Sequence, residues 1–139
     1  MSAEAAIVTG EPTGSTSVEP HRGDDSEWDA FVRRAPTGTI FHLSAWKRIL
    51  SHAFAFRPPD LAARRNLRQV GVLPLFELRP IFGRPCLVSL PFAVEGGVCA
   101  SDDEARRVLD AAAVALSGAL GACSLELRDG LSGGPFRVC

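Results

Sequence analysis

Residues 101–128 read "SDDEARRVLDAAAVALSGALGACSLELR", and this stretch decides the fold. Ser101 followed by Glu104 has the form of a capping box, in which a hydroxyl and a carboxylate reciprocally satisfy the free N–H groups of a helix start. Ala105, Val108, Leu109, Ala112, Leu116 and Leu120 then fall on one helical stripe. Gly121 supplies the residue that ends helices in the left-handed conformation, and "CSLELR" alternates as a strand. A second strand, "CLVSL" at 86–90, precedes the helix. Strand, long helix and strand predict two parallel strands joined by a right-handed crossover, so the helix must pack on a sheet.

Working back from that unit, residues 61–79 predict a β-hairpin. "DLAARR" forms its first arm, "NLR" the turn and "QVGVLPLFELR" the second arm. Pro74 cannot donate a ladder hydrogen bond and marks a bulge or an edge. Further upstream, Trp28, Phe31, Val32 and Ala35 predict a helix with Ser26 as its N-cap and Pro36 as its stop. "TGTIFH" at 37–42 is expected as a short strand. A second helix starts at Ser44, with Trp46, Ile49, Leu50, Ala53 and Phe54 as its apolar face, and stops at Pro58 and Pro59. The expected class is therefore α+β, in a single domain over 24–129. Residues 1–23, rich in Gly, Pro, Ser, Thr and Glu, are expected to be a disordered acidic tail, and 130–139 to be irregular.

Charge divides the same way. Residues 1–29 hold seven acids against one base, whereas 30–139 hold fourteen bases against nine acids. Lys47 is the sole lysine, the other bases being arginine. That cationic balance is compatible with an anionic ligand, and high-GC codon usage gives the same arginine bias without one. Cys86, Cys99, Cys123 and Cys139 show no C-x-x-C spacing and no histidine at ligand distance, which argues against structural zinc. The expectation is free thiols in a reducing cytoplasm. Met1–Gly10 lacks the cationic start and apolar run of a secretory signal, and Arg106, Arg107 and Asp110 interrupt the most apolar helix, so no membrane span is expected.

Chemistry-bearing motifs are sparse. P-loop and H-E-x-x-H signatures are missing from the sequence, no residue is assigned as catalytic, and no metal or cofactor is called for. Asp102, Asp103 and Glu104 suit a helix N-terminus. Arg64, Arg65 and Arg68 flank the hairpin turn, as solvated charges or as an anion contact. His21, His42 and His52 read as structural or solvated, and Trp28 and Trp46 as core anchors. "PFAVEGG" at 91–97 leaves two readings open. Gly96 and Gly97 serve either a turn needing positive φ or a close ligand approach with Phe92 as a wall.

Taken in order, "WDAFVRRAPTGTIFHLSAWKRIL" (28–50), "RQVGVLPLFELRPIFGRPCLVSLPFAVEGGV" (68–98) and "LELRD" (125–129) resemble the N-terminal domain of FemAB-like proteins. The version they most resemble is the one associated with PEP-CTERM/exosortase systems. The resemblance covers roughly residues 27–129. It implies a GNAT-like fold, the first of two tandem domains, and a cytoplasmic place in cell-envelope biosynthesis. In that family an aminoacyl group passes from charged tRNA, or another acyl donor, to an acceptor amine on a peptidoglycan precursor. The first domain contributes part of the acceptor cleft, and the second supplies much of the transfer machinery. The resemblance thus implies Phe92, Glu95, Gly96 and Gly97 as substrate-binding residues, with Trp46 behind them, and an anionic acceptor precursor as partner. Glu95 departs from the family, where an aromatic residue, commonly Tyr, often stands.

The chain also stops where the second domain would begin, and "GLSGGPFRVC" reads as a truncated or frame-shifted end. The expected protein is then inactive alone. Two other readings stand beside it. One is a non-enzymatic interaction module or gene remnant, whose uncovered apolar face would self-associate. The other is an autonomous GNAT acyltransferase, which would need a splayed strand pair and a Gly-rich phosphate-binding helix start.

Overall fold

The computed structural model describes residues 14–22, 24–54, 59–91, 93, 96–128 and the backbone of 136–138. Eight strands and three α-helices among them follow the order β1 (Ser17–Pro20), α1 (Asp25–Arg34), a 3-10 turn (Ile40–His42), α2 (Ser44–Phe54), β2 (Leu61–Arg65), β3 (Arg68–Leu73), β4 (Phe76–Leu78), β5 (Cys86–Val88), β6 (Cys99–Ala100), α3 (Asp103–Ala119), β7 (Ser124–Leu127) and β8 (Phe136–Val138). The result is a mixed α+β fold with two four-stranded sheets, ordered β1-β2-β3-β6 and β4-β5-β7-β8.

Pro74 explains why there are two sheets. The second hairpin arm runs as one strand until proline removes a ladder donor, and the chain bends at Pro74–Leu75. Before the bend β3 pairs with β2 and β6; after it β4 pairs with β5. The N–H of Leu75, unable to enter either ladder, donates to Asp60 Oδ1 at 3.1 Å. The bulge itself lies elsewhere, where Ala63 faces Gly71 and Arg64 faces Gln69. Asn66 and Leu67 close the hairpin with φ of 52° and 66°, the two left-handed residues of a type I′ turn.

Side chains alternate across this bent strand, and each face acquires its own helix. Leu73 and Leu75 join Leu87, Leu125 and the buried α3 residues Ala105, Leu109 and Ala113. Val72 faces the other way, toward Trp28, Phe31 and Val32 of α1. Phe76, on that same side, meets Leu50 of α2 together with Leu90 and Ala93. As the crossover requires, β5 and β7 are parallel, with Cys86 opposite Ser124 and Val88 opposite Glu126. Gly121, at φ 66°, ends α3: its N–H donates to Gly118 O at 3.1 Å and that of Ala122 to Ser117 O at 2.9 Å, the bond pair of a Schellman end.

Several local expectations are corrected. Residues 1–23 were expected to lack order, yet Ser17–Pro20 pairs antiparallel with β2, because Val18 can pack on the core and the β2 edge gains a partner. Residues 1–13 lie outside the described residues. Within 130–139, expected to be irregular, Phe136–Val138 pairs with β7. "TGTIFH" is no strand: Thr39 caps a 3-10 turn, accepting from Phe41 N at 3.2 Å. Asp24, not Ser26, caps α1, accepting from Ser26 N at 2.8 Å. On α2 the buried residues are Ser44, Lys47 and Leu50, while Ile49 and Phe54 stand 56% and 51% exposed. Helix and sheet together select the polar-looking stripe over the apolar one, because Lys47 finds a buried partner.

Two of the three arginines beside the hairpin turn, Arg64 and Arg65, meet the protein's own carboxylates. Arg64 bonds Glu19 at 2.7 Å and Glu27 at 2.9 Å, tying β2 to β1 and α1. Arg65, buried, holds Asp102 at 2.7 Å and Glu104 at 2.7 Å. Asp102 rather than Ser101 is the α3 N-cap, accepting from Ala105 N at 2.8 Å. Arg65 and that N–H hold the Asp102 carboxyl down at about 2. A lowered folded pKa adds stability that is present above the ordinary carboxylate range and is lost as pH falls toward 2. Asp102→Asn keeps a cap acceptor but no charge, so its stability deficit against wild type should shrink between pH 4 and pH 2. Asp102→Ala should cost about 1–2 kcal/mol at pH 7 from the lost cap. Urea unfolding at stepped pH measures both.

Candidate functional site

Two features meet where α1, α2 and the end of β5 converge. The first is the turn after β5. Ser89 N–H donates to Glu126 O at 2.9 Å, and Ser89 Oγ accepts from Arg128 N at 2.8 Å. The parallel pair therefore stays closed past its last ladder position rather than splaying. Leu90 then takes φ 42° while fully buried, a left-handed conformation that is costly for a branched side chain and is held by its surroundings. Gly96 and Gly97 return the chain to Arg128, both N–H groups donating to its carbonyl, at 2.9 and 2.8 Å. Close approach accounts for Gly96: a Cβ there would lie 2.6 Å from Leu90 Cδ1.

His42 holds this turn from below. Its Nδ1 accepts from Thr39 N at 3.2 Å, so the ring proton sits on Nε2, which donates to Gly97 O at 2.9 Å. The main chain of His42 is fixed in turn, since its carbonyl accepts from Trp28 Nε1 at 2.7 Å. Asp29, next to Trp28, accepts from Ser44 N at 2.7 Å and Ser44 Oγ at 2.6 Å. The carboxylate of α1 thus satisfies the free N-terminal N–H of α2, where negative charge is favoured.

Trp28 also forms one wall of the second feature. Lys47 Nζ lies 4.0 Å from the centre of its ring, and the His21 ring lies against it, tilted by 51° with centroids 4.7 Å apart. Nζ makes a buried ion pair with Asp60 Oδ2 at 2.8 Å. Burial pushes the Asp60 carboxyl up, opposed by the Lys47 ammonium and the Leu75 N–H. Lysine fits here because its charge is compact enough to sit between an aromatic face and a carboxylate. In front of this pair opens a cleft of about 640 Å³ lined by Asp25, Lys47, Arg48, Ser51, His52 and Asp60. Arg48 is mostly exposed and lies 3.7 Å from Asp25. Its four charges pair with one another, Lys47 with Asp60 and Arg48 with Asp25, so the lining carries both signs.

Of the residues expected to bind substrate, Gly96 and Gly97 lie in the His42-supported turn. Trp46 packs on Phe41 at 5.2 Å and in one cluster with Leu90 and Ala93, on either side of position 92 in sequence. Its indole Nε1 is buried and finds no hydrogen-bond acceptor among the described residues. Phe92 and Glu95 lie outside the described residues. Sequence reasoning missed the Lys47–Asp60 cleft altogether. The available signal was the lone lysine in a chain whose other bases are all arginine. No group of His, Cys, Asp and Glu among the described residues is placed to hold a metal ion, and no helix among them is long and apolar enough to cross a membrane.

No protein-family model matches the sequence, and no curated protein matches it either. Among solved structures, a crystal structure of FemX is similar, with a TM-score of 0.62 and 22% identity over 78% of this chain. The match spans 26% of the FemX chain. Over most of its length, the chain shares the fold of a segment of FemX.

Proposed function

We propose that the chain is the acceptor-side domain of a FemAB-like transferase acting on a peptidoglycan or related cell-envelope precursor. The observation that carries this is the shared fold with FemX over 78% of the chain, together with the sequence pattern from Trp28 to Gly97 and its tertiary contacts. In this reading the domain is GNAT-like and one of two, and the acceptor peptide lies along the cleft in front of Lys47 and over the turn at Pro91–Gly97. Phe92, Glu95, Gly96 and Gly97 contact it, with Trp46 behind them. The mixed charge of the cleft supports a peptide acceptor, which brings both an amine and carboxylates. Transfer of the acyl group then depends on the second domain, with an aminoacyl-tRNA or another activated acyl donor.

Two features favour this reading over an autonomous acyl-CoA enzyme. Ser89 bridges the parallel pair where such an enzyme opens a gap for its cofactor. The long helix opens on Asp102, Asp103 and Glu104, which repel a pyrophosphate.

Calorimetric titration with a soluble peptidoglycan precursor carrying its stem peptide tests the proposal. Binding is expected for the precursor, with none for acetyl-CoA. Arg48→Glu should weaken precursor binding about tenfold or more, since it reverses a charge at the cleft mouth. Arg48 is 68% exposed, so the variant should fold as wild type does. Turnover of acyl-CoA by this chain, or equal precursor affinity in the variant, overturns the assignment.

A further inference from the structure

Away from the cleft, β5 opens on Cys86 and β7 is preceded by Cys123. The parallel register puts Cys86 opposite Ser124, and Cys123 N–H donates to Pro85 O at 2.8 Å, so both backbones are fixed. The two sulfurs stand 3.2 Å apart. Closing that gap to a bond takes a movement of about 1 Å, within reach of small side-chain rotations. Both thiols are half-buried and accessible, whereas Cys99 is fully buried beside Trp28 and Phe31. Arg84 clamps the same junction, its Nε donating to Gly121 O at 3.0 Å.

We propose that Cys86 and Cys123 are a redox modification site, a thiol pair that closes to an intramolecular disulfide when it meets a small-molecule disulfide such as oxidised glutathione. The Cys123 thiolate attacks one sulfur of the oxidant and expels a glutathione thiolate. The Cys86 thiolate then attacks Cys123 Sγ of the mixed disulfide and expels the second. The protein loses two electrons and two protons; the oxidant gains both and leaves as two glutathione molecules. Hydrogen bonding from Cys86 holds the Cys123 thiol below its usual range, which favours it as the first attacker. Burial pushes the Cys99 thiol up and leaves it inert. The bond closes a loop containing the turn at 91–97, β6 and all of α3, pinning the end of α3 to β5.

The test treats the native full chain with excess oxidised glutathione at neutral pH, alkylates the remaining thiols, and locates links by fragmentation mass spectrometry. The expected product has lost the mass of two hydrogens, carries a Cys86–Cys123 link, retains an alkylatable Cys99 on unfolding, and reverts with dithiothreitol. Its melting temperature should rise by about 5 °C or more, since the link constrains a long loop of the unfolded chain. Cys86→Ser should stop at a glutathione adduct on Cys123. Persistence of both free thiols, an adduct on Cys123 as the end product in wild type, or links to Cys99 or Cys139 instead would overturn the proposal.

Discussion

Lys47→Met is expected to destabilise the protein by about 3–5 kcal/mol, the range for removing one partner of a buried ion pair. Methionine fills the volume under Trp28, so cavity formation is a small part of the loss. The larger part is Asp60, left with its Oδ2 facing no cation in a site where it is only 6% exposed. Asp60 cannot be relieved by turning outward, because its other oxygen accepts the Leu75 N–H at the strand bend. The double variant Lys47→Met/Asp60→Asn tests that reasoning. Asparagine keeps an acceptor for Leu75 and removes the orphaned charge, so most of the stability should return. Equilibrium urea unfolding of wild type, Lys47→Met, Asp60→Asn and the double variant gives the coupling directly. A single-variant cost under about 1 kcal/mol, the range of an exposed pair, would mean that the pair is solvated and not part of the core.

His42→Ala should cost about 2–4 kcal/mol by a different route. The substitution leaves a cavity and strips partners from two backbone groups, Thr39 N–H and Gly97 C=O. Its functional signature matters more than the stability figure. With Gly97 O released, the turn from Leu90 to Gly97 loses its support from the 3-10 segment, and precursor affinity should fall even where the protein remains folded. His42→Gln offers a side-chain N–H of similar reach and should recover part of that affinity. Amide hydrogen exchange at Gly96 and Gly97, whose N–H groups both bond Arg128 O, should rise in the alanine variant and less in the glutamine one.

The long helix, its glycine end, the hairpin and the parallel strand pair were legible in the sequence because their signals are local: a 3.6-residue stripe, a φ-positive stop and a turn between two arms. The errors fall where several local answers are equivalent or where the deciding partner is distant. Asp24 and Ser26, like Ser101 and Asp102, are neighbouring residues that can each cap a helix, and only the backbone path chooses between them. Strand β1 depends on pairing with residues 61–64, more than forty positions away. Lys47 stood outside the apolar face expected for α2, because its partner Asp60 lies beyond the end of that helix. The motif pattern at Trp28, Asp29 and His42 was visible as letters, whereas its meaning is tertiary: indole to carbonyl, carboxylate to helix start, imidazole to glycine turn. Of the expected substrate contacts, Gly96, Gly97 and Trp46 lie around one turn, and Phe92 and Glu95 lie outside the described residues.

The solitary lysine has a practical consequence. A lysine-specific protease has one cleavage point in the whole chain, the bond between Lys47 and Arg48, and in the folded state that bond lies in α2 with its side chain shut between Trp28 and Asp60. Cutting requires the helix to open and Lys47 to leave its pocket. When reclosing outpaces cleavage, the rate of appearance of two fragments tracks the free energy of that opening. The protein therefore carries its own proteolytic gauge, readable on a gel without any engineered label. A ligand seated in the cleft should slow the cut in proportion to its occupancy.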